Sequence, residues 1–213
     1  MIEPKGAKPV IGLVGGIGAG KSAVAGLMAG YGGRVIAADA FGHEALRRPE
    51  IRDAVAARWG AGVLDEHGQV SRRKLGAVVF ADPAQRRELE ALVFPWIERR
   101  IREELARAGE DPAVRFVVLD AAIMLETGWG DVCDRVVYVD APRAARAGRL
   151  AARSGWSEAE VLAREAAQMP PEEKARRADA VIDNSGPPEA LRPQVEELLR
   201  RWGLLAPGGG GSR

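Results

Sequence analysis

The eight residues Gly15-Gly16-Ile17-Gly18-Ala19-Gly20-Lys21-Ser22 fit the pattern G-x-x-x-x-G-K-[ST] at every position. An apolar run, Val10-Ile11-Gly12-Leu13-Val14, precedes them, and a helix-compatible stretch from Lys21 to Met28 follows. This order of strand, loop and helix narrows the possible folds to those that seat a glycine-rich loop between a buried strand and a helix N-terminus. Glycines let backbone N–H groups converge on phosphate oxygens, and the helix end adds partial positive charge. Lys21 has the length to reach outer phosphates, and the Ser22 hydroxyl suits a magnesium ion. Gly15, Gly16, Ile17, Gly18, Ala19, Gly20, Lys21, Ser22 and the adjoining Ala23 are the candidate nucleotide-binding residues.

Further β-like runs are Arg34–Ala37, Phe116–Asp120 and Arg135–Asp140, with a weaker one at Ala180–Asp183. Their apolar residues are continuous rather than alternating, as strands buried on both faces require. Helical stretches separate them, so the chain reads as an α/β fold: a parallel sheet of about five strands wrapped by helices. Ligands of such sheets collect at the strands' carboxyl ends. That rule groups the glycine-rich loop, Asp39, Asp120 and the segment after Asp140 around one cleft. Nearly eighty residues part the second and third runs, too many for a simple crossover. They read as helices at Ala40–Trp59, Ser71–Phe80, Pro83–Val93 and Trp96–Ala108, the last two divided around Pro95. Leu89, Leu92, Val93, Trp96, Ile97, Ile101 and Leu105 recur at helical spacing and form an apolar face. The whole segment reads as a helical insertion that holds a second substrate.

Composition excludes several classes. With 31 basic and 30 acidic residues in 213, the chain offers no bulk pull toward nucleic acid or an anionic membrane. No window approaches eighteen uninterrupted apolar residues, and the N-terminus lacks the pattern of a signal peptide. One cysteine, Cys133, rules out an internal disulfide and suits a reducing compartment, so a cytoplasmic protein is expected. Cys133 borders an apolar strand and reads as a buried structural thiol. The closing Pro207-Gly208-Gly209-Gly210-Gly211-Ser212-Arg213 reads as a flexible tail.

Three constellations bear chemistry. Asp39, just past the second strand, has the position to orient an acceptor hydroxyl and take its proton; a helix cap is the other reading. Arg143, Arg146, Arg149 and Arg153 fall within about 120° of one helix face. Such crowding opposes helix formation, so either a transferring phosphate or acidic neighbours such as Glu158, Glu160 or Glu165 must offset it. Asp120 ends its strand and has the chemistry for the outer sphere of a magnesium ion, or for a simple strand-end polar residue. His43, one turn after Asp39, faces either the same cleft or solvent. His67 lies in a turn and receives no role.

From about Val10 to Trp202 the chain resembles the dephospho-CoA kinase family. The resemblance rests on Ile11–Ser22, Val35-Ile36-Ala37-Ala38-Asp39, Arg72 with Leu75, Val79-Phe80 and Leu89-Glu90 with Pro95. Asp120, Leu125-Glu126, Arg149, Arg153, Gln168 and Ala178-Asp179-Ala180-Val181-Ile182-Asp183-Asn184 complete it. It implies transfer of the ATP γ-phosphate to the ribose 3′-hydroxyl of dephospho-CoA, with magnesium accompanying ATP and no tightly bound cofactor. It also implies a phosphate-loop kinase core over 9–39 and 112–206, an acceptor-binding helical insertion over 40–111 and a helical lid over about 143–177. Asp39 matches the family's catalytic aspartate and Arg149 an active-site lid arginine. Arg153 and Asn184 fall at nucleotide-binding positions, and His43 and Arg72 at acceptor-binding ones. A monomer or small homo-oligomer without nucleic-acid or membrane partners is expected.

The sequence departs from the family pattern in four places. Ala37 replaces the first aspartate of D-x-D, Phe94 a histidine, Ala122 a proline and Arg146 a glutamine. Since Asp39 and Arg149 are kept, an active enzyme, slowed if anything, is expected. Competing readings are another small-molecule or nucleoside monophosphate kinase, a nucleotide-dependent switch, and an inactive nucleotide-binding homologue.

Overall fold

A computed structural model of the chain describes residues 5–154 and 158–205. Five strands carry the sheet: β1 (Val10–Val14), β2 (Gly33–Ala37), β3 (Phe116–Asp120), β4 (Arg135–Asp140) and β5 (Ala180–Asp183). All neighbours run parallel, in the order β2-β3-β1-β4-β5. β1 and β3 are buried along their whole length, which is why their sequences show unbroken apolar runs. Register places Leu13 beside Asp120, Ala37 beside Asp120, and Asp140 beside Asp183, so the acidic strand ends share one edge.

The chain parts into two compact units, one of Met1–Ala37 with Glu104–Arg213 and one of Ala38–Glu103. The first holds the sheet. There α1 (Lys21–Ala29) packs on β2 and β3, and α10 (Leu191–Arg201) packs on β5 and α1. Between them and the sheet lies the main core: Ile11, Leu13, Val118, Val137, Val139 and Ile182 against Val24, Met28, Val195 and Leu199. Each such side chain contributes about 1.5–3 kcal/mol by leaving water. The same unit contains α6 (Met124–Thr127), α7 (Arg143–Ser154), α8 (Glu158–Ala166) and α9 (Pro171–Arg176).

The second unit is helical. It comprises α2 (Ala38–Ala45), α3 (Pro49–Trp59), α4 (Arg72–Val79) and most of α5 (Pro83–Glu110). Its buried apolar residues include Phe41, Ile51, Val55, Leu75, Val79, Val93, Ile97 and Ile101. The Arg100 guanidinium lies 5.4 Å from the centre of the Phe41 ring, joining α5 to α2. Ser71 caps α4 by accepting from the Lys74 N–H.

Two helix boundaries differ from the sequence reading. Ala40–Trp59 is not one helix but α2 and α3, because Arg48 precedes Pro49 and is driven into an extended conformation (ψ 130°). Conversely, α5 is not divided at Pro95 and continues through it. Pro95 and Ala91, whose carbonyl loses its helical donor, are both exposed, so water satisfies the freed group. Val93, Ile97 and Ile101 stay in phase across the proline and bury one continuous stripe. No helix among the described residues is long and apolar enough to cross a membrane.

Candidate active site

The phosphate loop follows β1 and ends at Gly20, which adopts a left-handed conformation (φ 95°) at the N-cap of α1. Glycine is required there twice over. A Cβ would strain the backbone and would also fall 2.1 Å from the Asn184 side-chain nitrogen. Having no side chain, Gly20 cannot cap α1 itself, which leaves a helix end of the kind that receives an anion.

Three elements close on this loop. At the end of β3, Asp120 is buried, and its Oδ2 accepts from the Ser22 hydroxyl at 2.9 Å. Beyond β5, Asn184 is buried and its side-chain amide donates to the Ala19 carbonyl at 2.7 Å. From α7, Arg149 donates to the carbonyls of Gly18 (3.3 Å), Ala19 (3.2 Å) and Asn184 (2.9 Å). Thus Asn184 and Arg149 meet each other as well as the loop, a pairing that sequence separation hides. By taking up these carbonyls, the two side chains fix the shape of the loop.

The four arginines on one face of α7 have different fates. Arg149 and Arg146 are half-buried over the loop, whereas Arg143 is exposed. The Arg153 side chain lies outside the described residues. Arg146 donates to the Ala141 carbonyl (3.2 Å) and the Ile17 carbonyl (3.3 Å), and it pairs with Glu165 on α8. Of the two offsets expected for this crowded face, the acidic neighbour is the one seen, as Glu165 of α8 against Arg146.

One cluster went unrecognised in the sequence. Lys174 on α9 is almost wholly buried and donates to the Ala122 carbonyl at 2.6 Å and to Gln168 Oε1 at 3.2 Å. Its ion-pair partner is Glu126 on α6 at 2.9 Å, which also accepts from the Met169 N–H at 2.8 Å. From sequence, the segment Pro171-Glu172-Glu173-Lys174-Ala175-Arg176-Arg177 falls in the lid range and Lys174 receives no role of its own. Only the acidic Glu126, distant in sequence, and the amide Gln168, six residues before Lys174, could have hinted otherwise. A cavity of about 80 Å³ lies between this cluster and the loop, lined by Gly16, Ile17, Arg146, Glu165, Gln168 and Lys174 among others.

In the second unit, Asp39 occupies the first turn of α2, where a carboxylate complements the helix dipole. It is a first-turn residue and not the N-cap. His43 lies one turn on. Desolvation lowers its pKa, the charge of Arg72 adds to the effect, Asp39 opposes it and Arg47 adds weakly. The Arg72 guanidinium is itself held below its ordinary pKa, by desolvation first and by Arg47 second. Asp39, His43, Arg47 and Arg72 thus form one electrostatically coupled group on α2, the turn after it and α4.

Cys133 is buried, with its thiol pushed up to about 12 by burial and by neighbouring Asp134, and it has no place in the chemistry.

Comparison with known proteins gives a consistent result. A relative from Anaeromyxobacter dehalogenans, a dephospho-CoA kinase, is 44% identical over 89% of this chain and 90% of its own. One from Bacillus licheniformis, also a dephospho-CoA kinase, is 41% identical over 91% and 96%. A solved structure of a Thermus thermophilus protein superposes with a TM-score of 0.75 at 38% identity, covering 91% of this chain and 97% of that one. Dephospho-CoA kinase from Campylobacter jejuni shares the fold at a TM-score of 0.58 and 20% identity, covering 92% and 97%. The dephospho-CoA kinase family model matches residues 9–189, which include the phosphate loop, Asp120, the α7 arginines and Asn184: the chain belongs to the dephospho-CoA kinase family.

Proposed function

We propose that this chain is an enzyme transferring the γ-phosphoryl group of ATP to the ribose 3′-hydroxyl of dephospho-CoA, giving coenzyme A and ADP. The observation that carries this reading is the family match across residues 9–189. In the step, the hydroxyl oxygen bonds to the γ-phosphorus, the bond from that phosphorus to the β–γ bridging oxygen breaks, and the hydroxyl proton leaves. ADP carries away the electron pair of the broken bond.

Each residue role follows from charge and position. The loop from Gly15 to Ala23 binds the nucleotide phosphates through backbone N–H groups, and Lys21 neutralises the outer phosphates. Arg149, seated over the loop carbonyls, supplies fixed positive charge as negative charge spreads over the transferring group. Arg153 is assigned to the nucleotide as well. Asn184 holds the loop and borders the nucleotide. Asp39 orients the acceptor hydroxyl and takes its proton. His43 and Arg72 bind the acceptor, and the helical insertion is its chamber, with α7, α8 and α9 forming the lid.

Magnesium fits the donors present. Ser22 and Asp120 bring a hydroxyl and a carboxylate together at 2.9 Å, hard oxygen donors of the kind that hold magnesium beside nucleotide phosphates. When bound, the ion would neutralise phosphate charge. Ala37, next to Asp120 in register, offers no side-chain donor, so Asp120 or the ATP phosphates take up more of this duty. A single cysteine suits a reducing compartment, and the cytoplasm is the assigned location.

The test is ADP release from Mg-ATP with and without dephospho-CoA, with mass identification of the product. Acceptor-dependent turnover yielding coenzyme A is expected. ADP release unaffected by dephospho-CoA would overturn the assignment. Asp39→Ala should bind ATP nearly as before and lower kcat by about 10²–10⁴-fold, as loss of a general base does. Near-normal kcat in that variant would remove Asp39 from the role.

A further inference from the structure

Arg146 is the α7 residue that touches the tip of the phosphate loop. Its Nη1 donates to the Ile17 carbonyl at 3.3 Å, and the same nitrogen pairs with Glu165, while Nε is taken by the Ala141 carbonyl. None of these contacts uses Nη2. A Cβ on Gly16 would lie 2.9 Å from Arg146 Nη1 and 3.1 Å from the guanidinium carbon, so the loop glycine is what lets the group come this close. Arg146 and Glu165 together line the cavity of about 80 Å³ that opens on Gly16 and Ile17. The arginine side chain is 13% exposed and the glutamate side chain 25%, so water screens their pairing only in part.

This places a fixed positive charge and a fixed negative charge together at the part of the loop whose N–H groups receive phosphate. A guanidinium can serve a carboxylate or a phosphate, and a dianionic phosphate oxygen is the stronger acceptor. The carboxylate of Glu165 meanwhile repels any phosphate that approaches. We propose that Arg146 is a second phosphate-binding arginine of α7 and that Glu165 is its competitor, so the pair sets how tightly this chain holds the outer phosphates of ATP. Both arginines donate to loop carbonyls, and Arg146 differs in having an acid partner that a phosphate would replace. The inference rests on ATP being the donor, and its test reads ATP binding directly, without acceptor.

The experiment is a double-mutant cycle on Mg-ATP affinity by calorimetry, using the full chain, Glu165→Gln, Arg146→Gln and the double variant. Glu165→Gln should bind Mg-ATP about 3- to 10-fold more tightly, the effect of one partly screened charge. Arg146→Gln should bind about 3- to 10-fold more weakly. In the double variant the gain from Glu165→Gln should vanish, because competition needs both partners. Arg146→Lys, which keeps the charge but not the planar fork, should fall between the unchanged chain and Arg146→Gln and stands in should the glutamine variant not fold.

A pair that merely ties α8 to α7 gives a different pattern: lowered melting temperature in each single variant and unchanged or weaker ATP binding in Glu165→Gln. That pattern, or an equal gain with and without Arg146, would overturn the proposal. If the unchanged chain binds no Mg-ATP, the donor assignment itself fails, and the two failures are told apart by that one titration.

Discussion

Gly12, in the middle of β1, is glycine for reasons of space. A Cβ there would lie 2.3 Å from Met124 Cε, 2.6 Å from its sulfur and 2.9 Å from Cys133 Sγ. Both neighbours are buried and their sulfurs stand 3.5 Å apart, so the end of the Met124 side chain must shift within a packed core. Gly12→Ala should therefore cost about 1–3 kcal/mol of stability by overpacking, read from denaturant unfolding. It should also speed alkylation of Cys133, which in the unchanged fold is protected by burial and by a pKa near 12. Unchanged stability together with unchanged labelling would show that the pocket relaxes freely. At this scale the sequence was legible where chemistry and position coincide. Glycines, Lys21 and Ser22 announce a phosphate loop, and the apolar surroundings of Cys133 announce a buried thiol. It was not legible for Lys174, whose burial depends on Glu126 and Gln168 arriving from other elements.

Among the elements, α9 and α6 make the sharpest case for packing over local preference. Lys174 is 1% exposed in its side chain and Glu126 21%, so the lysine bears the greater desolvation. Removing the glutamate's charge leaves a buried ammonium with only a carbonyl and an amide, whereas removing the lysine leaves a carboxylate that water still reaches. Glu126→Gln should thus destabilise by about 2–4 kcal/mol, and Lys174→Met, of similar length and apolar, by clearly less. Thermal or denaturant unfolding of the two variants decides it, and the reverse ranking would refute the account. The same contrast explains the helix boundaries. Proline restricts its predecessor everywhere, which broke α2 from α3 at Arg48. In α5 the proline sits on the wet side of a stripe buried in phase, and tertiary burial outweighs a local cost of about 3 kcal/mol. A sequence shows the proline but not which side is wet.

For the molecule as a whole, five strand runs separated by helices sufficed to infer a parallel sheet, because burial on both faces writes itself into unbroken apolar runs. The strand order β2-β3-β1-β4-β5 and the meeting of Asn184 with Arg149 came only from the fold. Because the loop is held by contacts from α7 and from the end of β5, nucleotide binding should stabilise the sheet unit as one. Mg-ATP at a hundredfold excess over Kd should add about 2.7 kcal/mol and raise Tm by about 5–10 °C. ATP without effect on Tm would contradict a folded nucleotide site. The division of the chain carries a further lesson, since Ala38–Glu103 forms one uninterrupted stretch between two parts of the sheet unit. Asp39 lies one residue inside that stretch, whereas the phosphate loop belongs to the other unit. On the roles proposed above, a cassette exchanged at these two chain boundaries would carry its proton acceptor along with its chamber for the acceptor molecule. A lineage could thereby trade one recipient of the phosphoryl group for another while its ATP-handling half is inherited unaltered.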